Sequence, residues 1–220
     1  MTREEMHNEF KLLLDKGDSF DAPAFLEEEI DSFLNIAQEK FISKRAFGNN
    51  VRRTSFEENQ KRRDDLKNLI QNDTQTPLTN DPNENKPNGN TVTLPSNYRQ
   101  AINEEAIING NKGLRRVSVK PITHDRYNKI IDDPFNKPKD NTVYRLDYNG
   151  DFELIHGEGQ TINTYILRYI KNPDSISPDQ DCALSLHTHK TIVKMAAVDA
   201  LENVAQPRYQ SSKIELNEIE

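Results

Sequence analysis

The last third of the chain constrains the fold most. A strand-like run, Thr161-Ile162-Asn163-Thr164-Tyr165-Ile166-Leu167-Arg168-Tyr169-Ile170, stops at Lys171-Asn172-Pro173. Proline has no amide hydrogen, so it cannot extend a strand ladder. A short loop leads to Leu184-Ser185-Leu186-His187-Thr188-His189. Then Val193, Ala196, Ala197, Ala200, Leu201 and Val204 recur at helical spacing, with Ile192, Met195 and Val198 widening the face. Three small residues, Ala196, Ala197 and Ala200, let another helix approach closely. A sheet strand followed by a helix that needs a helical partner predicts an α+β fold.

The partner helices lie at the other end. Thr2-x-x-Glu5 is a capping box, and Met6, Phe10, Leu13 and Leu14 follow at helical spacing before Gly17. This predicts a first helix from Thr2 to Lys16. Asp21 can cap a second, with Pro23 in its first turn and a stripe of Leu26, Ile30, Phe33, Leu34, Ala37 and Phe41. Glu27, Glu28 and Glu29 sit early and Lys40, Lys44 and Arg45 late, which complements the helix dipole. Thr54-x-x-Glu57 is a further capping box, predicting a polar helix to Ile70 in which only Phe56, Leu66, Leu69 and Ile70 offer burial. Such a helix lies at a surface or against another subunit.

Residues 71–92 are rich in Asn, Pro, Asp and Thr and carry no aromatic side chain. Their composition predicts a linker or extended arm. Strands are expected at 91–95, 98–109, 114–119 and 142–148. Asn149-Gly150 marks a hairpin turn into Phe152-Glu153-Leu154-Ile155. A short helix is expected from His124 to Ile131, before the loop Asp133-Pro134-Phe135-Asn136-Lys137-Pro138.

Composition narrows the function classes. Hydrophobic residues make up 34% of the 220 and charged residues 30%, with a net charge of -7. That is polar for a globular chain, so burial needs help from neighbours or from extended segments. A net-negative chain is a poor general nucleic-acid binder, because affinity comes largely from phosphate neutralisation. It suits a surface that DNA slides past. Cys182 is the lone cysteine, so an intramolecular disulfide is impossible and a reducing setting fits. No window approaches the roughly 18 apolar residues of a membrane span. The start, Met1-Thr2-Arg3-Glu4-Glu5, has no leader-like apolar stretch. A protein made in a cytoplasm is expected.

The chemistry-bearing residues do not assemble into a catalytic set. His187, His189 and Cys182 offer N and S donors without a fourth ligand at a recognisable spacing. The alternative is a helix-entry loop capped near Thr188. His124-Asp125-Arg126 and His156-Gly157-Glu158-Gly159 pair histidine with carboxylate, but adjacent residues diverge and no nucleophile elbow accompanies them. No enzyme activity, metal or cofactor is expected. Lys40, Lys44, Arg45, Arg52, Arg53, Lys61, Arg62, Arg63 and Lys67 form a basic stripe diluted by Glu57, Glu58, Asp64 and Asp65. It reads as a solvated face, a contact to an acidic neighbour, or a DNA-facing surface. In the tail, Ile214, Leu216 and Ile219 interleave with Glu215, Glu218 and Glu220. That pattern fits either a disordered end or an arm docking into a partner's groove or edge.

Several of these pieces recur in one family. Leu94-Pro95-x-Asn97-Tyr98, the His124-to-Pro134-Phe135 segment, Val143-Tyr144-Arg145 with the Asn149-Gly150 hairpin, Tyr169-Ile170-Lys171-Asn172-Pro173 and the final helix with Arg208-Tyr209-Gln210 stand in this order. With the opening Glu28-Glu29-Ile30-Asp31-Ser32-Phe33-Leu34-Asn35-Ile36-Ala37, the chain resembles head-to-tail connector (ring or adaptor) proteins of tailed bacteriophages, particularly crAss-like phages. More distantly it is similar to the tubular adaptors of short-tailed phages. The resemblance implies a homo-oligomeric ring, of twelve copies, between portal and tail in the virion neck. It implies a portal protein and other connector or tail rings as partners, and genome DNA passing through the lumen without sequence-specific binding. It carries over no catalytic or metal residue, and the linker at 71–92 does not align with it.

The expected architecture is α+β: a helical region at 1–72, a linker or extended arm at 73–92, an antiparallel β-rich domain at 93–181, a C-terminal helix at 182–205 packing on the helical region, and a docking tail at 206–220. Candidate partner-facing residues are Phe56, Arg62, Arg63 and Leu66 on the polar helix, Ile192, Met195 and Val198 on the last helix, and Arg208, Tyr209, Ile214, Leu216 and Ile219 in the tail. The alternative reading is a DNA-binding or packaging accessory protein that uses the 40–67 stripe.

Overall fold

The computed structural model describes residues 1–14, 25–46, 56–76, 86–110, 113–139 and 141–203. Contacts divide the chain into two compact units: Met1–Leu69 with Pro173–Glu220, and Ile70–Asn172. The fold is mixed α and β, with a seven-stranded, mostly antiparallel sheet among the described residues.

In the helical unit, α1 runs Arg3–Leu14, α2 Glu27–Ala46, α3 Gln60–Leu66 and α5 His189–Asn203. The Thr2/Glu5 capping box forms in both directions. The Glu5 amide donates to Thr2 Oγ1 at 3.3 Å and the Thr2 amide to Glu5 Oε2 at 3.0 Å. Helix α2 buries Ile30, Leu34, Ala37 and Phe41 as its stripe predicts, but Leu26 stays 69% exposed just before the helix. The proposed caps Asp21 and Pro23 lie outside the described residues. So does Thr54, and α3 begins later than the sequence pattern suggests. Asn59 is its N-cap, its side chain accepting from the Lys61 amide at 2.9 Å. Helix α5 packs on both α1 and α2 and buries Ile192, Val193, Ala196, Ala197, Ala200 and Leu201. Its small residues allow that approach. Phe10, Phe25 and Phe33 form an aromatic triad with centroids 5.6 to 6.2 Å apart.

The sheet unit contains β1 (Ile70–Gln75), β2 (Gly89–Val92), β3 (Tyr98–Gly110), β4 (Gly113–Pro121), α4 (His124–Asp132), β5 (Val143–Tyr148), β6 (Asp151–Ile155) and β7 (Thr161–Lys171). The strand order is β1-β7-β3-β4-β5-β6-β2. Neighbours pair antiparallel except β4 and β5, which pair parallel through Val119–Pro121 and Val143–Arg145. The crossover between them holds α4, as a parallel pair requires a long connection. Residues 70–75, expected partly as helix end and partly as linker, are strand: Ile70 pairs with Ile170 and Gln75 with Tyr165. Asn149 and Gly150 take φ of 53° and 81°, the double left-handed turn of a tight hairpin.

The sheet curls. Gln75, closing edge strand β1, donates its side-chain amide to the Thr93 carbonyl just past the opposite edge strand β2. One apolar cluster then fills the concave side, with Val92, Ala106, Ile108, Val119, Val143, Phe152, Leu154, Tyr165 and Leu167 all buried. Burying each such Val, Leu, Ile or Phe side chain contributes roughly 1.5–3 kcal/mol. On the outer face, Tyr144, Leu146 and Ile155 pack under Tyr127 of α4. Gly89 lets β2 start tightly: a Cβ there would stand 2.8 Å from the Lys86 carbonyl and 2.5 Å from a Glu153 carboxylate oxygen.

Candidate functional site

The motifs quoted above do most of their visible work inside the two units. In the sheet unit, the Asn97-Tyr98 pair and the Tyr169-to-Asn172 run lock together. The Tyr169 hydroxyl donates to Asn97 Oδ1 at 2.9 Å, the Asn172 amide to the Asn97 carbonyl at 2.7 Å, and Asn172 Nδ2 to the Tyr98 carbonyl at 3.3 Å. Tyr98 stands edge-on to Phe152 with centroids 5.6 Å apart. Beneath it lies a buried polar triad that the sequence did not reveal. Arg145 donates to Glu104 Oε1, Tyr165 donates to Glu104 Oε2 at 2.8 Å, and the Arg145 guanidinium lies 4.1 Å over the Phe152 ring. Burial pushes the Glu104 carboxyl up, and the Arg145 charge and Tyr165 hydrogen bond offset only part of this. Burial and the Glu104 charge hold the Tyr165 hydroxyl far above its usual range.

The helical unit has its own ionic knot. Arg3 makes a bidentate contact with Asp31, Nε at 2.9 Å and Nη2 at 2.8 Å, and His7 Nε2 lies 2.7 Å from Asp31 Oδ1. Burial pushes Asp31 up, but the hydrogen bonds and charges of Arg3 and His7 outweigh it and hold the carboxyl below its usual range. Asn35 and Gln38 of α2 then clamp the loop after Pro173. Asn35 exchanges two hydrogen bonds with Ile176, at 3.1 and 2.8 Å, and Gln38 donates to the Asp174 carbonyl at 3.2 Å.

The remaining candidates are dispersed. Cys182 donates to Gln38 Oε1 at 3.1 Å, His189 contacts the Leu184 carbonyl at 3.0 Å, and His187 contacts Asp65 at 2.8 Å. Among the described residues no three His, Cys, Asp or Glu side chains gather as metal ligands. His124 Nε2 lies 2.7 Å from the Asp147 carbonyl and His156 Nδ1 2.9 Å from the Gly157 carbonyl. The basic stripe is broken up. Arg45 pairs with buried Asp65 at 3.0 Å, Lys40 with Asp199 at 2.8 Å, and Arg62 is buried, while Arg52 and Arg53 lie outside the described residues.

Of the partner-facing candidates, Phe56, Leu66, Ile192 and Val198 are buried within one copy, Met195 is half-buried and Arg63 is exposed. Arg208, Tyr209, Ile214, Leu216 and Ile219 lie outside the described residues. The apolar side chains that one copy leaves uncovered are others. Leu12, Leu26 and Ile36 are exposed on the helical unit, and Leu114 and Phe135 on the sheet unit. Phe135 is the extreme case, 86% exposed on a loop that is firmly tied. Its amide donates to Asp133 Oδ1 at 2.9 Å, and the Tyr144 hydroxyl donates to the next carbonyl, Asn136, at 2.6 Å. The Phe135 amide first, and then the Asn136 side-chain amide, which donates to Asp133 Oδ2, hold the Asp133 carboxyl below its usual range. A hydrogen-bonded loop that presents an exposed aromatic ring suits contact with another chain. No sequence signal marks Phe135 as exposed; its Pro-Phe-Asn-Lys-Pro setting marks only the loop.

A family model described as phage tail ring protein 3/4 matches residues 1–209. The chain is also similar to Ring protein 3 of Bacteroides phage crAss001, with 26% identity over 228 residues that cover 94% of this chain and 97% of that protein. No helix among the described residues is long and apolar enough to cross a membrane.

Proposed function

We propose a role that proceeds from one premise: the chain belongs to the phage tail ring protein 3/4 family, whose members are structural ring proteins of the phage tail. Its copies close into a ring in the neck between portal and tail, twelve to the turn, stacked against the portal protein and the other connector rings. Genome DNA passes through the lumen without sequence-specific contact, and the net charge of -7 keeps it from adhering. The observation that carries the reading is Phe135, left 86% exposed on a hydrogen-bonded loop. A symmetric ring supplies the missing cover for such side chains. Arg63, Met195 and the 206–220 tail are the remaining proposed partner contacts.

The test is a cryo-electron microscopy map of the virion neck with this chain traced. A ring whose subunit contacts include Phe135 supports the reading; density for this chain only outside the neck overturns it. The DNA-binding alternative is disfavoured by the pairing of Lys40 and Arg45 with Asp199 and Asp65. It predicts salt-dependent DNA binding by the purified protein.

A further inference from the structure

The sheet unit contains a cleft of about 770 Å³ that the ring role leaves unused. That volume falls within the roughly 300–1,000 Å³ typical of ligand sites. Its apolar lining comes from Tyr127 and Ile131 of α4, Ile155 at the end of β6, Pro87 and Pro138, and Asn88, Asn141, Thr142 and Gln160 add polar groups. Its rim is basic. Lys137 and Lys139 are both exposed and line it, and Lys86 lies 5.3 Å over the Tyr127 ring. Glu158 is the one acid among its lining side chains in the described residues.

His156 stands in the wall with 9% of its surface exposed. Its Nδ1 is committed to the Gly157 carbonyl at 2.9 Å, which leaves Nε2 as the ring nitrogen for a ligand. Lys139 also donates to the Phe135 carbonyl at 3.4 Å, so its amine is held near the rim. Apolar lining side chains together with nearby lysines suit an extended segment that alternates apolar side chains with carboxylates.

The chain carries such a segment. Ile214, Leu216 and Ile219 are interleaved with Glu215, Glu218 and Glu220, against one cation, Lys213. We infer that this cleft is the receptor for the acidic 213–220 segment of a second copy of the chain. The inference rests on the ring reading, which sets copies side by side. Docking from copy to copy ties neighbours together by charge as well as by apolar contact.

The experiment titrates a fluorescein-labelled peptide of residues 206–220 with full-length protein and follows anisotropy. To keep the resident tail from competing, the protein carries Glu215→Lys and Glu218→Lys. The expected result is saturable binding that weakens at least ten-fold when Lys137→Glu and Lys139→Glu are added. A peptide bearing E215K and E218K restores binding to a chain whose cleft carries those two reversals and whose own tail keeps Glu215 and Glu218. Both lysines are exposed, and a thermal melt matching the unsubstituted chain shows that the fold is kept. Absence of binding, or binding indifferent to the rim reversals, overturns the inference. Repeated with the chain whose tail is unsubstituted, a concentration-independent block of peptide binding means that the tail fills its own cleft, which overturns docking to a second copy. The ring is read separately: a ring that still forms in the virion neck with a cleft unable to bind the peptide removes this inference and leaves the ring.

Discussion

The Tyr165 hydroxyl donates to Glu104 Oε2 at 2.8 Å inside the curled sheet, while Arg145 holds the other carboxylate oxygen. Strands β3, β5 and β7 are thereby joined through one buried charge. Removing a partner from a buried pair leaves that charge uncompensated.

Arg145→Met is therefore expected to destabilise the sheet unit by about 3–5 kcal/mol. The Glu104 carboxyl lies above its ordinary value of 4.5, first because it is buried. A carboxylate raised in the folded state makes ionisation costly, so stability falls as pH rises from 4.5 through the folded value. Glu104→Gln removes that slope. Urea unfolding across pH 4 to 8 checks both outcomes.

Asp31 responds with the opposite sign. It is held below 3.8 despite burial, through Arg3 and His7. Its contribution is fully present above that value and is lost as pH falls through the lower folded one. Asp31→Asn should cost the helical unit about 1.5–3 kcal/mol at pH 7 and flatten its acid transition. Amide exchange of α1, compared at neutral pH and near pH 3, measures the effect.

Phe135→Ala separates folding from assembly. Because the ring is 86% exposed in one copy, the isolated chain should keep its stability within about 0.5 kcal/mol. Incorporation into particles should fall. Melting curves beside quantified virion content read the two effects, and an unchanged virion content would remove Phe135 from the interface.

Gly89→Ala tests the start of β2. The added Cβ would meet the Lys86 carbonyl at 2.8 Å, a backbone atom that cannot rotate away. A loss of about 1–3 kcal/mol is expected, read from the urea midpoint.

The parts of this fold legible in sequence were those written in local chemistry. Thr2 with Glu5 marked the start of α1, the Ile30-Leu34-Phe41 stripe marked α2, Asn149-Gly150 marked the β5–β6 turn, and Thr161–Ile170 marked β7. Strand β1 was hidden because Ile70-Gln71-Asn72-Asp73-Thr74-Gln75 is an exposed edge, with no alternating apolar pattern to declare it. The start of α3 was misplaced because Asn59, an equally good cap, lies just beyond Thr54-x-x-Glu57. The pairings of Glu104 with Arg145 and Asp31 with Arg3 join residues 41 and 28 positions apart, beyond the reach of any window reading. For the same reason the burial of Phe56, Leu66 and Ile192 within one copy, and the bareness of Phe135, could be read only from the folded chain.

The helical unit is written in two instalments, and this sets a timetable for synthesis. Lys40 on α2 waits for Asp199 on α5, 159 residues later. At about 5–20 residues per second, a ribosome makes the early helices stand open for roughly 8 to 30 seconds before their closing partner emerges. The intervening strands have that interval to pair first, so the nascent chain completes its middle before it can seal its beginning.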